Sequence, residues 1–316
     1  MQAQQVFIGV DVAKDNLVIS IGGTPKPQVV VNDEPAIKRW VKTLSPQAVI
    51  AMESTGRYHQ RLARLAHQAG LRVYVLNAKD VYFYAKALGA RGKTDPLDAQ
   101  IIARYVAEHH GALHPWSPGT TAQVEVQELL QRRERVAVYR ASLRQTLAGM
   151  KRLAPAVLQL ERQFEKLLGR IDREVQGLVD SEPKLSQGSA VLQSISGIGP
   201  QSAAMLVALL NRIQFANADA LVAYSGLDPR PADSGLRNGR RRLSKRGPPG
   251  LRRQLYLAAL AATRTKALGP TYQALRAKGF KSTQAVVILA RKLLRIAWAV
   301  WKSGKPFDAT KLTPVA

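Results

Sequence analysis

Over the first hundred or so residues the apolar positions fall in short runs separated by polar punctuation. VFIGVDV reads as a buried strand. NLVISIGG follows it, ending in a glycine pair, and PQVVVND is a third strand; the short spacing predicts an antiparallel meander. EPAIKRWVKTL has helical periodicity, AVIAMES is a strand, YHQRLARLAHQAG a helix closed by Gly70, and LRVYVLNA another strand. A helical segment around Val81–Leu88 leads through GARGKTDP into LDAQIIARYVAEH.

This order, β-β-β-α-β-α-β-α, is that of the ribonuclease H-like fold. From about 121 to 182 the pattern changes. Apolar residues recur seven apart at Leu129, Val136, Leu143 and Met150, and again at Val157, Phe164, Ile171 and Leu178, seconded by Leu160 and Leu167. Two long helices broken at Pro155, with coiled-coil character, fit that spacing. They serve either as an intramolecular hairpin or as a dimerisation arm. SEPKLSQGS reads as a polar linker. VLQSISGIGPQSAAMLVALL then gives two helices around a tight turn at Gly197–Pro200, which resembles a helix-hairpin-helix. The remainder from Leu251 to about Lys302 is helical and basic, and SGKPFDATKLTPVA reads as a tail. Three domains are expected: 1–120, 121–185 and 186–316.

Charge alters the picture. Forty-seven Lys and Arg against 22 Asp and Glu give +25, a balance that calls for a polyanionic partner. Beyond Asp233 the only acid is Asp308, so the C-terminal third has the stronger electrostatic footprint. There is no cysteine, which removes disulfides, cysteine zinc sites and thiol nucleophiles. The N-terminus lacks the charge-then-apolar pattern of a signal peptide, and LYLAALAA and AVVILA are too short to span a bilayer. A cytoplasmic nucleic-acid-binding protein is expected.

Four acids have suggestive positions. Asp11 lies near the end of the first strand and Glu53 ends the strand AVIAME. Asp95 and Asp98 are three apart at a helix start, so they can share a face. A ribonuclease H-like sheet sets the first two side by side, and a helix packed across it can bring in the others. Clustered carboxylates need a neutralising cation. Magnesium, an oxygen-seeking ion, suits them, and a pair of ions ~4 Å apart suits in-line displacement at phosphorus. Each acid also has a structural reading: Asp11 as a strand-end turn, Glu53 as a helix cap, Asp95 as an N-cap before Pro96, Asp98 as a partner of the helix dipole.

The other candidate is RNGRRRLSKRGPPGLRR. Ser244 sits there among Arg237, Arg240, Arg241, Arg242, Lys245, Arg246, Arg252 and Arg253. It either hydrogen-bonds a phosphate or attacks one; Ser225 and Ser234 are nearby rivals. The Gly197 and Gly199 amides at the hairpin can cradle a backbone phosphate, unless the turn merely joins two helices. GARGKT is no Walker loop, because two residues rather than four separate Gly89 from Gly92.

GVDVAKDNL, ESTGRY, KTDPLDAQ, SISGIGP, YSGLDPRPADSG and LSKRGPPGLRR run in the order found in the DEDD transposases of bacterial insertion sequences, some of which are bridge-RNA-guided recombinases. The resemblance covers nearly the whole chain. It implies a RuvC-type ribonuclease H-like domain, a helical coiled-coil segment, and a mainly α C-terminal transposase domain. By the same resemblance Asp11, Glu53, Asp95 and Asp98 hold one or two magnesium ions, and Ser244 is the nucleophile, forming a phosphoserine bond to DNA. It further implies double-stranded donor and target DNA as substrates and an element-encoded guide RNA. A tetramer, a dimer of dimers, would share active sites between protomers. A junction-resolving nuclease using water, and a non-catalytic nucleic-acid-binding protein, are the competing readings.

Overall fold

The computed structural model describes residues 5–22, 26–54, 56, 58–90, 92, 94–230 and 241–312. It divides into two compact units, residues 1–118 and 119–316.

In the first unit β1 (Phe7–Val12), β2 (Asn16–Ile21) and β3 (Gln28–Val31) form the expected antiparallel meander. They are followed by α1 (Glu34–Lys42), β4 (Val49–Glu53), α2 (His59–Gln68), β5 (Arg72–Leu76), α3 (Ala78–Ala87) and α4 (Asp95–His109). The sheet order is β3-β2-β1-β4-β5, with β4 parallel to β1 and β5 parallel to β4. The elements follow the chain order that the sequence pattern predicts, and they build a mixed five-stranded sheet.

The central strands are apolar on both sides because both faces are covered. Ile8, Val10, Ile50 and Met52 join Ile37, Trp40 and Leu62 of α1 and α2 in one core. Val49, Ala51, Tyr74 and Leu76 meet Ile101, Ile102 and Val106 of α4 in the other. Gly9 lies where α4 comes closest. A β-carbon on it would stand 2.1 Å from the Ala99 carbonyl oxygen and 2.3 Å from the Ala103 nitrogen.

The described residues of the second unit are helical apart from one small ribbon. Its first pair, α5 (Thr121–Thr146) and α6 (Ala154–Asp180), forms an antiparallel hairpin. Arg133 pairs with Asp172 (Nη2–Oδ2 2.9 Å), and Arg140 with Glu161 at 2.6 Å and Glu165 at 2.7 Å. The intramolecular option for these heptads is therefore realised within the chain. The break comes earlier than Pro155. Gly149 takes a positive φ of 84°, a 3₁₀ turn spans Lys151–Leu153, and Pro155 stands in the first turn of α6, where a missing N–H costs nothing.

The supposed linker SEPKLSQGS is a correction: most of it forms α7 (Pro183–Gln193). Its small residues are there for close packing. A β-carbon on Gly188 would stand 2.4 Å from the Trp301 ring. After α7 come α8 (Pro200–Arg212), α9 (Ala218–Ser225), β6 (Pro229–Arg230), β7 (Arg242–Leu243), α10 (Pro249–Ala262), α11 (Gly269–Ala277) and α12 (Ser282–Ser303). Their apolar faces build one core with Leu185, Leu206, Leu255 and Leu293 at its centre. The expected tail is also docked. Phe307 and Leu312 pack on this core, and the Phe307 amide donates to Ser194 Oγ at 2.8 Å. Among the described residues no helix is long and apolar enough to cross a membrane.

Candidate active site

Two groups of candidate residues lie in the two units. In the first, strand register places Asp11 and Glu53. β1 pairs with β4 through Gly9↔Ala51 and Val10↔Met52, so Asp11 and Glu53 are the next positions on adjacent parallel strands. Side chains alternate along a strand. Asp11 is two residues beyond Gly9 and Glu53 two beyond Ala51, so both carboxylates belong to the face that α4 covers.

The direction of α4 brings its acids to the same end. The Phe7 ring packs 4.9 Å from the ring of His110, just past the C-terminus of α4. Gly9 lies beneath Ala99 and Ala103. Along β1 from Phe7 towards Asp11, α4 is therefore traversed backwards, and its first turn, with Asp95 and Asp98, lies at the Asp11 end. Asp11, Glu53 and Asp98 are half-buried and Asp95 is exposed.

The helix-capping explanations for these acids do not match the structure. The cap of α4 is Thr94, without a side-chain bond, and that of α2 is Tyr58, also without one. Asp95 and Asp98 do lie in the first turn of α4, where negative charge suits the helix dipole. None of Asp11, Glu53 and Asp98 is without a partner. Among the described residues no three acidic or histidine side chains stand together as a cage for one ion. The donor set is nevertheless the all-oxygen one that magnesium takes.

The second group is a loop held against the end of α9. Gly226 ends α9 in the left-handed conformation with φ 70°. The chain then runs through Leu227 and Asp228 into β6, which pairs with β7 as Pro229↔Leu243 and Arg230↔Arg242. Ser244 follows β7. Its N–H donates to the Asp228 carbonyl at 3.0 Å, and the Lys245 N–H donates to the Gly226 carbonyl at 3.1 Å. The Ser244 hydroxyl donates to Asp228 Oδ1. Ser244 is only 9% exposed. Lys245, with φ 53°, is the only described non-glycine residue with positive φ. The backbone thus turns sharply immediately after the serine.

The loop seats tightly. A β-carbon on Gly247 would stand 1.8 Å from the Tyr224 carbonyl oxygen. Arg252, from the first turn of α10, locks it: Nη1 donates to the Ser225 carbonyl at 3.2 Å and also to the Gly247 carbonyl. Burial holds this guanidinium below the usual arginine range. Of the rival serines, Ser225 is fully buried, donating to the Val222 carbonyl at 2.7 Å.

The predicted cations therefore divide. Arg241, Arg242, Lys245 and Arg246 are exposed around Ser244. Arg252 is spent on the loop's own carbonyls, and Arg253 pairs with Glu134 at 3.3 Å. Arg237, Arg240 and Ser234 lie outside the described residues. The glycine turn divides as well. Gly197, φ 98°, presses on α10, where a β-carbon would stand 2.7 Å from the Ala258 carbonyl oxygen, so its glycine is a packing requirement. Gly199 is the N-cap of α8 with open space around it.

Asp228 is the participant that the sequence did not disclose. It stands in GLDPR, 16 residues before Ser244, and no local spacing links them. The register of a two-residue ribbon brings the pair together.

Residues 8–153 match a transposase family model, and residues 189–274 match the model of the transposase IS116/IS110/IS902 family. A pilin gene-inverting protein of Moraxella bovis is 29% identical over 267 residues, covering 82% of this chain and 81% of that protein. The transposase for insertion sequence element IS1328 of Yersinia enterocolitica is 28% identical, covering 83% and 86%. The IS900 42 kDa protein of Mycobacterium paratuberculosis is 24% identical, covering 99% and 100%.

Proposed function

As the chain belongs to the IS116/IS110/IS902 family of transposases, and so is a DNA recombinase/transposase enzyme, we propose that it cuts and rejoins DNA through a covalent phosphoserine intermediate on Ser244. The observation that carries this reading is the seat of Ser244 itself. One hydroxyl is held by a carboxylate, on a sharp backbone turn, with Arg242, Lys245 and Arg246 exposed beside it.

A phosphate drawn to those cations meets Ser244 Oγ, and the cations stabilise the charge that builds on the phosphoryl oxygens. Oγ attacks phosphorus, and one DNA end leaves as a free hydroxyl. The phosphoserine conserves the bond energy, so a hydroxyl of another DNA strand can displace Ser244 without ATP. Asp11, Glu53, Asp95 and Asp98 would hold magnesium, which when bound neutralises the carboxylates and acts as a Lewis acid at the scissile phosphate. In the working assembly, a tetramer, the acids of one protomer and Ser244 of another act on the same phosphodiester. An element-encoded guide RNA selects donor and target DNA by base pairing, and the reaction takes place in the cytoplasm on nucleoid DNA.

The test is to incubate the purified protein, with any co-purifying RNA retained and sequenced, with duplexes carrying the ends of its own element. A protein–DNA adduct that survives denaturation is expected from the wild type and from neither Ser244→Ala nor Asp11→Ala. Cleavage without an adduct, still present in Ser244→Ala, would establish the water-using nuclease instead.

A further inference from the structure

We propose that Asp228 is a catalytic residue: it takes the proton from Ser244 as the serine attacks and returns it as the serine leaves. The proposal rests on the reading of Ser244 as nucleophile.

A serine hydroxyl is a weak nucleophile and is activated by a base within hydrogen-bond reach or by a metal; a metal that polarises it still leaves its proton to be taken by a base. The cations around Ser244 do not meet that need, since a protonated guanidinium or ammonium has no lone pair to accept a proton. Among the described residues, the one acceptor set on the Ser244 hydroxyl is Asp228 Oδ1. The hydrogen already points the right way, from Oγ to the carboxylate. Oγ also accepts a long hydrogen bond from the Arg246 N–H at 3.5 Å, and its other lone pair is left to face phosphorus. A carboxylate taking a hydroxyl proton is established chemistry in phosphoryl transfer.

A purely structural role is a poor account of the contact. The Ser244 N–H already bonds the Asp228 carbonyl at 3.0 Å, and β6 already pairs with β7 through Pro229↔Leu243. The ribbon is closed without the side chain. Among the described residues Asp228 Oδ1 is the one acceptor for the hydroxyl, and the two residues are held face to face by that same backbone register.

The proton account closes over both steps. In the first, the Oγ–P bond forms and the bond from phosphorus to the departing deoxyribose oxygen breaks. The Oγ proton passes to Asp228, and the departing oxygen takes one from water. In the second, the incoming strand hydroxyl bonds to phosphorus, releasing its proton to water. The Oγ–P bond breaks, and Asp228 returns the stored proton to Oγ. No oxidant, reductant or nucleotide is consumed.

The experiment compares Asp228→Asn, Asp228→Ala and wild type in the adduct assay, using the same element-end duplexes in a single turnover. Asparagine keeps an oxygen acceptor in the same place but cannot hold the proton. The expected result is that Asn and Ala variants are alike, each slower by about 10²-fold or more. Asp228→Asn, which keeps an acceptor, should match the wild type in thermal melting and DNA binding, and Asp228→Glu should recover part of the rate. An Asn variant within a few-fold of wild type would overturn the proposal while leaving Ser244 as nucleophile. Wild-type protein that forms no adduct at Ser244 would remove the premise itself. If Asp228→Asn melts early, the wild-type rate in heavy water decides. Proton transfer in the transition state predicts slowing there, and an unchanged rate counts against Asp228.

Discussion

The carbonyl oxygen of Ala99 in α4 lies directly over Gly9 in β1, so close that a β-carbon on Gly9 would meet it at 2.1 Å. No flexible side chain can yield here, because both partners are backbone. The contact lets α4 lie flat on the strand that carries Asp11 and brings Asp98 to the same end of the sheet. Gly9→Ala should therefore destabilise the protein by roughly 3 kcal/mol and displace the first turn of α4. Denaturant unfolding measures the first effect. Loss of adduct formation with Ser244 intact measures the second.

Much of this was legible in the chain. VFIGVDV, NLVISIGG and the alternating units after them specify the order of elements along the chain and the meander, because alternation and run length follow from which faces are buried. Asp11, Glu53, Asp95 and Asp98 could be placed at the ends of those elements. SEPKLSQGS was not legible as α7, since composition alone cannot separate a solvated linker from a helix whose Gly188 makes room for a neighbour. The packing requirement at Gly197 was not legible either: a glycine freed for a ligand and one crowded by Ala258 look alike in sequence. Asp228 escaped because its partner is fixed by tertiary register.

Tyr84 supplies a pH prediction. Burial, then the hydrogen bond from its hydroxyl to Glu108 Oε2 at 2.6 Å, push its pKa from 10.0 up to about 12. The fold thus favours the neutral phenol. Its stabilisation is fully present below pH 10 and is lost as pH rises towards 12. Tyrosinate absorbance should show a late-titrating component that disappears in Tyr84→Phe. The variant should also lose less stability than wild type across that interval.

Lys245 predicts a conflict between stability and function. Its φ of 53° is a left-handed conformation that costs an L-residue about 1 kcal/mol relative to glycine. Lys245→Gly should raise stability by up to that amount, seen as a melting temperature higher by about 2–4 °C. Strand exchange should fall, because the substitution removes a cation next to Ser244 and loosens the turn that aims it. A variant both less stable and fully active would contradict the strained-turn account.

Arg242 and Arg252 carry the same charge yet should fail in different assays. Arg242 is exposed beside Ser244. Each phosphate contact releases counterions, so Arg242→Gln should lower the dependence of log K on log salt by about 0.9 and leave melting unchanged. Arg252 instead holds the Ser225 and Gly247 carbonyls together. Truncating it leaves sheltered acceptors unpaired, at a cost of about 1–3 kcal/mol. Arg252→Gln should therefore melt early with a nearly unchanged salt slope. DNA titrations at several salt concentrations, run beside thermal melts of both variants, separate the two roles. A lowered salt slope in Arg252→Gln without loss of stability would move that arginine from the scaffold to the DNA surface.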